Sequence, residues 1–173
     1  MIRRWLFPLF AGIVAGLLAY QATLVATPRL LMAAALRRVE QAGGVNALRH
    51  PPMPTAQSRT IVRPSPDLAY SSCLFDLSDG PVLVDVRPVP APYWSLSVFD
   101  SRTDTAFVRN NRDTRGASIR IVIARPGQRT PPGIETVRVE GERGIALIRI
   151  LVGAPENYPA IDQARRGSRC GRV

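Results

Sequence analysis

The chain has 173 residues and a formal net charge of +10, from 23 basic and 13 acidic side chains. Every basic side chain in that count is arginine, which excludes Schiff-base and P-loop lysine chemistry, and a single histidine, His50, excludes a multi-histidine zinc site. The arginines are scattered, and beside so much alanine they have the look of GC-rich coding, so no nucleic-acid partner is expected.

The first element is an anchor, residues 1–27. From Trp5 to Pro28 the chain carries no Asp, Glu, Arg or His. About 21 apolar residues make a helix of roughly 32 Å, which matches the hydrocarbon thickness of a bilayer. Trp5 and Tyr20 are aromatics of the kind that settle near headgroups. Gly12 and Gly16 form a small-xxx-small pair that permits close helix approach. Arg3 and Arg4 would also suit a signal peptide. However, Leu24 and Tyr20 occupy the upstream small positions of the two available cleavage sites, so the helix is read as uncleaved. Arg3 and Arg4 stand against Arg29, Arg37 and Arg38 on the far side. The charge bias is near balance, and the short basic tail is expected to stay inside, exporting the rest.

Residues 28–58 follow as a helix and a linker. Thr27 suits an N-cap and Pro28 a first helical position. The helix would run through Leu30, Leu31, Ala34, Ala35 and Val39 to Gly43-Gly44, either continuing the membrane helix or lying along the surface. His50-Pro51-Pro52-Met53-Pro54 has no periodicity and favours extended backbone.

Residues 59–155 then alternate with a period of two. Cys73, Phe75 and Leu77 share one face, and so do Val82, Val84 and Val86; Trp94, Leu96 and Val98; and Ile119, Ile121 and Ile123. Val137 and Val139 follow, then a near-continuous apolar run from Ile145 to Val152. About seven short strands divided by Gly/Pro turns predict a mainly β domain, an antiparallel, jelly-roll-like β-sandwich behind one transmembrane helix. Residues 156–173 predict a short helix and then a frayed tail.

Three blocks in order carry a family resemblance. Arg63-Pro64-Ser65-Pro66-Asp67-Leu68-Ala69-Tyr70-Ser71 resembles a bacterial signature of the form Arg-x-Asn-x-Asp-Thr-x-Tyr-Ser. Asp76-Leu77-Ser78-Asp79-Gly80-Pro81 resembles that family's Asp-Leu-x-x-Gly-Pro segment, and Tyr93-Trp94-Ser95-Leu96 with Asp100 resembles its next block. The family is the one called domain of unknown function 1254, and the resemblance runs from Thr60 to Asn111. It implies a β-rich domain in a bacterial envelope, hence an inner-membrane anchor with the domain in the periplasm. It also implies a partner: longer members carry a second β-domain of unknown function, so a separate anchored protein bearing that domain is expected to assemble with this one. Ser65 and Leu68 depart from the family's Asn and Thr.

Candidate ligand-binding residues are Arg63, Asp67, Tyr70 and Tyr93. Arg63 with Asp67 could sit beneath a pocket toward which the Tyr70 hydroxyl points, or could simply brace a turn. Tyr93 falls on the face opposite Trp94, where it could line a groove. Cys73 and Cys170 could pair in an exported domain, or remain a small buried hydrophobe and a tail thiol. No metal or cofactor is expected. His50 alone in a linker cannot build a serine triad, and an Asp67–Asp100 carboxylate dyad has only its residue types in favour. The leading expectation is a membrane-anchored interaction or accessory module. The alternatives are a small-ligand or enzymatic pocket around Arg63–Tyr70, and anionic lipid-surface binding through Arg29, Arg37 and Arg38.

Overall fold

A computed structural model describes residues 2–41, 43–59 and 63–173. Thr60, where the motif resemblance begins, lies outside the described residues.

Helix α1 (Ile2–Gln41) is one unbroken element. At 1.5 Å per residue its 40 residues extend about 60 Å. It is the one helix among the described residues that is long and apolar enough to cross a membrane. Pro28 does not start a new helix but lies inside α1, as does Pro8. Proline forfeits one backbone hydrogen bond there. The turns beyond Pro28 are held from outside: Met32 and Leu36 bury together with Leu74, with Val39, Val45, Phe99 and Ile145 packed around them. Glu40 adds an ion pair to Arg143 at 2.9 Å.

The rest is a two-sheet sandwich. The first sheet has the order β1 (Leu48–Arg49), β2 (Leu68–Asp76), β8 (Arg143–Leu151), β4 (Trp94–Phe99) and β5 (Thr105–Asn110), all antiparallel. The second has the order β7 (Glu135–Arg138), β6 (Ile119–Ala124), β3 (Val82–Val86) and β9 (Arg169–Arg172), with β6 and β7 parallel. Between the sheets lie the side chains that the alternation assigns to the core. Cys73, Phe75, Leu77, Val82, Val84, Val86, Trp94, Leu96, Val98, Ile119, Ile121 and Ile123 are all buried in one cluster. Strand β8 reads as near-continuously apolar because both of its faces are partly covered. Ala146, Ile148 and Ile150 point into the core, while Ile145 packs under α1.

Two segments expected to be loose are tied down. The stretch read as a linker contributes β1, with Leu48 opposite Cys73 and Arg49 opposite Ser72. Just before it, Asn46 Nδ2 donates to the Asp76 carbonyl (3.1 Å) and Asn46 Oδ1 accepts from the Asp76 N–H (2.8 Å), mimicking one more rung of the ladder. After the short helix α2 (Tyr158–Arg165), the stretch read as frayed forms β9, which pairs Cys170 with Val84. Both β1 and β9 are too short to signal themselves by periodicity; they form because pre-existing edges satisfy their backbone groups.

Cys73 of β2 and Cys170 of β9 are joined as a disulfide across the two sheets, with Cα atoms 6.4 Å apart. It closes a loop spanning 97 positions, for which chain entropy alone contributes about 4–5 kcal/mol. Two residues before Ala146, which lies opposite Cys73, Gly144 of β8 is required by space. A Cβ there would lie 2.3 Å from both the Phe75 ring and the Phe99 carbonyl oxygen. Cys170→Ser is expected to cost about 2–5 kcal/mol and to release β9. Urea unfolding in mild detergent, compared with the reduced wild type, measures it, and the two losses should coincide.

Candidate functional site

Arg165, the last residue of α2, is fully buried and positions the motif residues. Its Nη1 donates to the Tyr70 carbonyl at 2.5 Å. Its Nη2 donates to the Pro51 carbonyl at 2.8 Å and to the Tyr158 hydroxyl at 3.1 Å. Its Nε donates to Asp162 Oδ1 at 2.8 Å, and Nη2 reaches the same oxygen. Arg166 binds the other carboxylate oxygen from Nε at 2.8 Å. The hydrogen bond from Arg166, then that from Arg165, holds the Asp162 carboxyl down to about 2.

His50 lies beside this cluster and not in a free linker. Its Nδ1 is hydrogen-bonded to Ser71 Oγ at 2.8 Å, and Ser71 is buried. Burial, then the positive charges of Arg165 and Arg166, lower the His50 pKa below the usual 6.5. Ser71 is thus engaged with an imidazole, yet among the described residues no carboxylate orients that ring, so the pair lacks the third member of a triad.

The four candidate residues do not gather around one pocket. Arg63 is exposed and makes no ion pair with Asp67 among the described residues. Asp67 borders a cavity of about 330 Å³ at the sandwich end, with Met53, Val152, Pro155 and Tyr158. The Tyr70 hydroxyl accepts the Ser65 N–H at 2.9 Å and pins the motif loop onto the sheet. Asp100 accepts the N–H groups of Arg102 (2.7 Å) and Asp104 (3.0 Å), closing the β4–β5 turn. Asp67 and Asp100 flank opposite ends of the first sheet, about eight residues or 27 Å apart along the strands, so they form no dyad.

Tyr70 and Tyr93 do share the outer face of the first sheet, around a residue the sequence reading passed over. Tyr70, Arg149 and Ser95 are direct neighbours across β2, β8 and β4. The Tyr93 carbonyl accepts the Leu151 N–H at 2.9 Å, which extends the ladder by one row, and the Arg112 guanidinium stands 5.9 Å from the Tyr93 ring centre. Arg149 Nη2 donates to Ser97 Oγ at 2.8 Å. Its Nε and the neighbouring Ser95 Oγ are buried without a partner. Among the described residues Arg149 has no carboxylate. The available signal was its place in β8: it is the charged member of the outward series Ile145, Leu147, Arg149, Leu151. Arg165 gave none, since its partners at Pro51 and Tyr70 are remote in sequence.

Arg165→Met strands the Tyr70 and Pro51 carbonyls and leaves Asp162 to Arg166; a loss of about 3–5 kcal/mol is expected. The pH dependence has a definite sign. The folded pKa of Asp162 lies below the ordinary carboxylate value of 3.8, so its contribution is complete above that value and is lost as pH falls through about 2. His50, also lowered, favours the folded state when neutral, so its contribution fades as pH falls below 6.5. Denaturant midpoints of wild type and Asp162→Asn should therefore differ at pH 6 and converge near pH 2.

A family model described as a protein of unknown function (DUF1254) matches residues 45–172. No curated protein matches the chain. Among solved structures the chain is similar to the VPA0106 protein from Vibrio parahaemolyticus, with a TM-score of 0.69 and 16% identity over 87% of this chain and 37% of that one. A second, from Burkholderia cenocepacia, has a TM-score of 0.45 and 16% identity over 73% of this chain and 34% of that one. At this identity the likeness to VPA0106 speaks for the fold alone, and the chain spans little more than a third of the length of either structure. The family match covers the whole sandwich and takes in β1, upstream of the motif blocks that first suggested it, and on that match the chain belongs to the DUF1254 family of proteins of unknown function.

Proposed function

We propose that this protein is an anchored accessory module of the bacterial envelope, single-pass in the inner membrane with its sandwich in the periplasm, and that it acts by binding a partner protein. The observation that carries the reading is Arg149, which has no carboxylate partner among the described residues, on an outer sheet face. The covering helix α1 packs over the row Leu74, Ile145 and Phe99. The neighbouring rows keep half-buried Tyr70, Leu147, Leu151 and Tyr93 around the guanidinium, and Val108 on edge strand β5 stays exposed. Tyrosine and arginine amid aliphatic side chains, with an edge strand alongside, is the composition of a contact surface that partners bind tightly. A charge left without a counter-ion on such a face suits a partner carboxylate. Confinement of both proteins to one membrane raises the effective concentration of such a contact. A second anchored chain carrying the family's other β-domain is the partner we propose.

A disulfide between the sheets suits an oxidising compartment and so favours the periplasmic orientation. A second reading, attraction to anionic lipid, is favoured by Arg29, Arg37 and Arg38, which follow the apolar stretch of α1. The pocket reading around Arg63 and Asp67 has no convergent geometry behind it.

Purification of the full chain from its native membrane in mild detergent should recover a partner with the wild type and lose it with Arg149→Glu, whose thermal midpoint should stay within a few degrees. Wild type recovered alone across detergents and salt concentrations would contradict the partner reading. Liposome association that weakens with added salt would instead support the lipid reading.

A further inference from the structure

A second basic site lies where α1 meets the sandwich. Ala35, Arg38, Val39 and Gly43 of the helix end face Leu48, Arg49, His50 and Ser72 of the first sheet's edge, and Arg166 of α2 closes the side. The space between them measures about 870 Å³. Three guanidinium groups, one imidazole and one hydroxyl border it. Arg166 shares the Asp162 carboxylate with Arg165. Among the described residues Arg38 and Arg49 have no carboxylate partner, and Glu40, the nearby acid of α1, is taken by Arg143.

Arg49 is half-buried, and its guanidinium fills the space above Gly43, where even a Cβ would collide with it. This holds the side chain at the groove mouth beside the C-terminal end of α1. The end of a helix attracts a cation, which accounts for the Arg49 position but supplies no full negative charge. Arg38, in the last turn of α1, shares that partial charge, and Arg166 shares one carboxylate, that of Asp162, with Arg165, so the three guanidiniums outnumber the negative charge beside them. The local potential is positive enough to act on a neighbour: the charges of Arg165 and Arg166, after burial, lower the His50 pKa. An isolated surface arginine would be stabilised by water alone. Several held around one concavity repel one another unless an anion enters.

We infer that the groove between the end of α1 and strand β1 is a binding site for a phosphate monoester or diester, gripped by the Arg38, Arg49 and Arg166 guanidiniums. Guanidinium forks match the geometry of phosphate oxygens and bind them in pairs. His50 and Ser72 supply further hydrogen-bonding groups at the rim. Arg38 stands nine residues past Arg29, about 14 Å farther along the helix. A phospholipid headgroup reaching up from the membrane surface and a free phosphate compound are thus the two sources of the same chemistry. The site is separate from the Arg149 face and does not depend on the partner proposed for it.

Calorimetric titration of the full chain in a non-ionic detergent tests the inference. The probes are inorganic phosphate and dihexanoyl phosphatidylglycerol, with dihexanoyl phosphatidylcholine as the zwitterionic control. Saturable binding of at least one anionic probe is expected, weakened tenfold or more by Arg49→Gln and by Arg38→Gln. Arg120→Gln, which removes the same charge from an exposed position on β6, should leave it within twofold. Binding of the phosphatidylglycerol alone would identify a headgroup site; binding of inorganic phosphate that competes with it would identify a free-phosphate site. Absence of saturable binding by both anions, or an equal loss in Arg120→Gln, would overturn the inference. If Arg49→Gln disturbs the fold, judged by its thermal midpoint, the exposed Arg38→Gln decides alone.

Discussion

A guanidinium sealed from water is costly unless every donor finds an acceptor. Arg165 meets that demand by drawing acceptors from two distant parts of the chain and from its own helix: the Pro51 carbonyl, the Tyr70 carbonyl, and the Tyr158 hydroxyl and Asp162 carboxylate of α2. Each acceptor that it takes fixes a segment that would otherwise have little reason to stay. Pro51 brings the proline-rich stretch, and with it β1 and His50, against β2. Asp162 and Tyr158 seat α2 on the same edge. The disulfide from Cys73 to Cys170 then ties down β9 a few residues farther along both strands. The basic groove, bordered by His50 on one side and Arg166 on the other, exists because this edge is assembled in that way.

The second constraint is the continuity of α1. A proline at position 28 in an isolated chain would favour a break, and the sequence leaves both a continued helix and a separate one open. In the fold, burial of Met32 and Leu36 against Leu74 outweighs the lost hydrogen bond. Each fully buried side chain of this size contributes about 1.5–3 kcal/mol, against about 3 kcal/mol for an internal proline. The consequence is that the helix occupies one end of the first sheet's outer face and leaves the other end, with Arg149, uncovered.

What the sequence made legible is what depends on local periodicity. Val82, Val84 and Val86, or Trp94, Leu96 and Val98, declare a buried face by themselves, and those faces meet in the core. The family blocks were legible for a related reason: Asp76 through Pro81 is a strand end and turn, where backbone geometry restricts the residue type, and Tyr93 and Asp100 bracket the alternating strand β4. Strands β1 and β9 were not legible, because two and four residues carry no period and each depends on an edge built elsewhere. The same holds for the site. Tyr70 could be read from the sequence as a ligand contact or as part of a braced turn; that its hydroxyl accepts from Ser65 and its carbonyl from Arg165, 95 positions away, depends on contacts the sequence does not display. Arg149 was hidden in an apolar run until the register of β8 placed it on the outer face between Tyr70 and Ser95.

The dependence of this edge on one residue can be read amide by amide. Hydrogen exchange on the full chain in detergent, wild type against Arg165→Met, reports protection along β1, α2 and β9 together. If Arg165 unites them, protection at residues 48–49, 158–165 and 169–172 falls in concert while β3, β4 and β6 keep theirs. Loss confined to α2, with β1 and β9 as protected as before, would contradict the account.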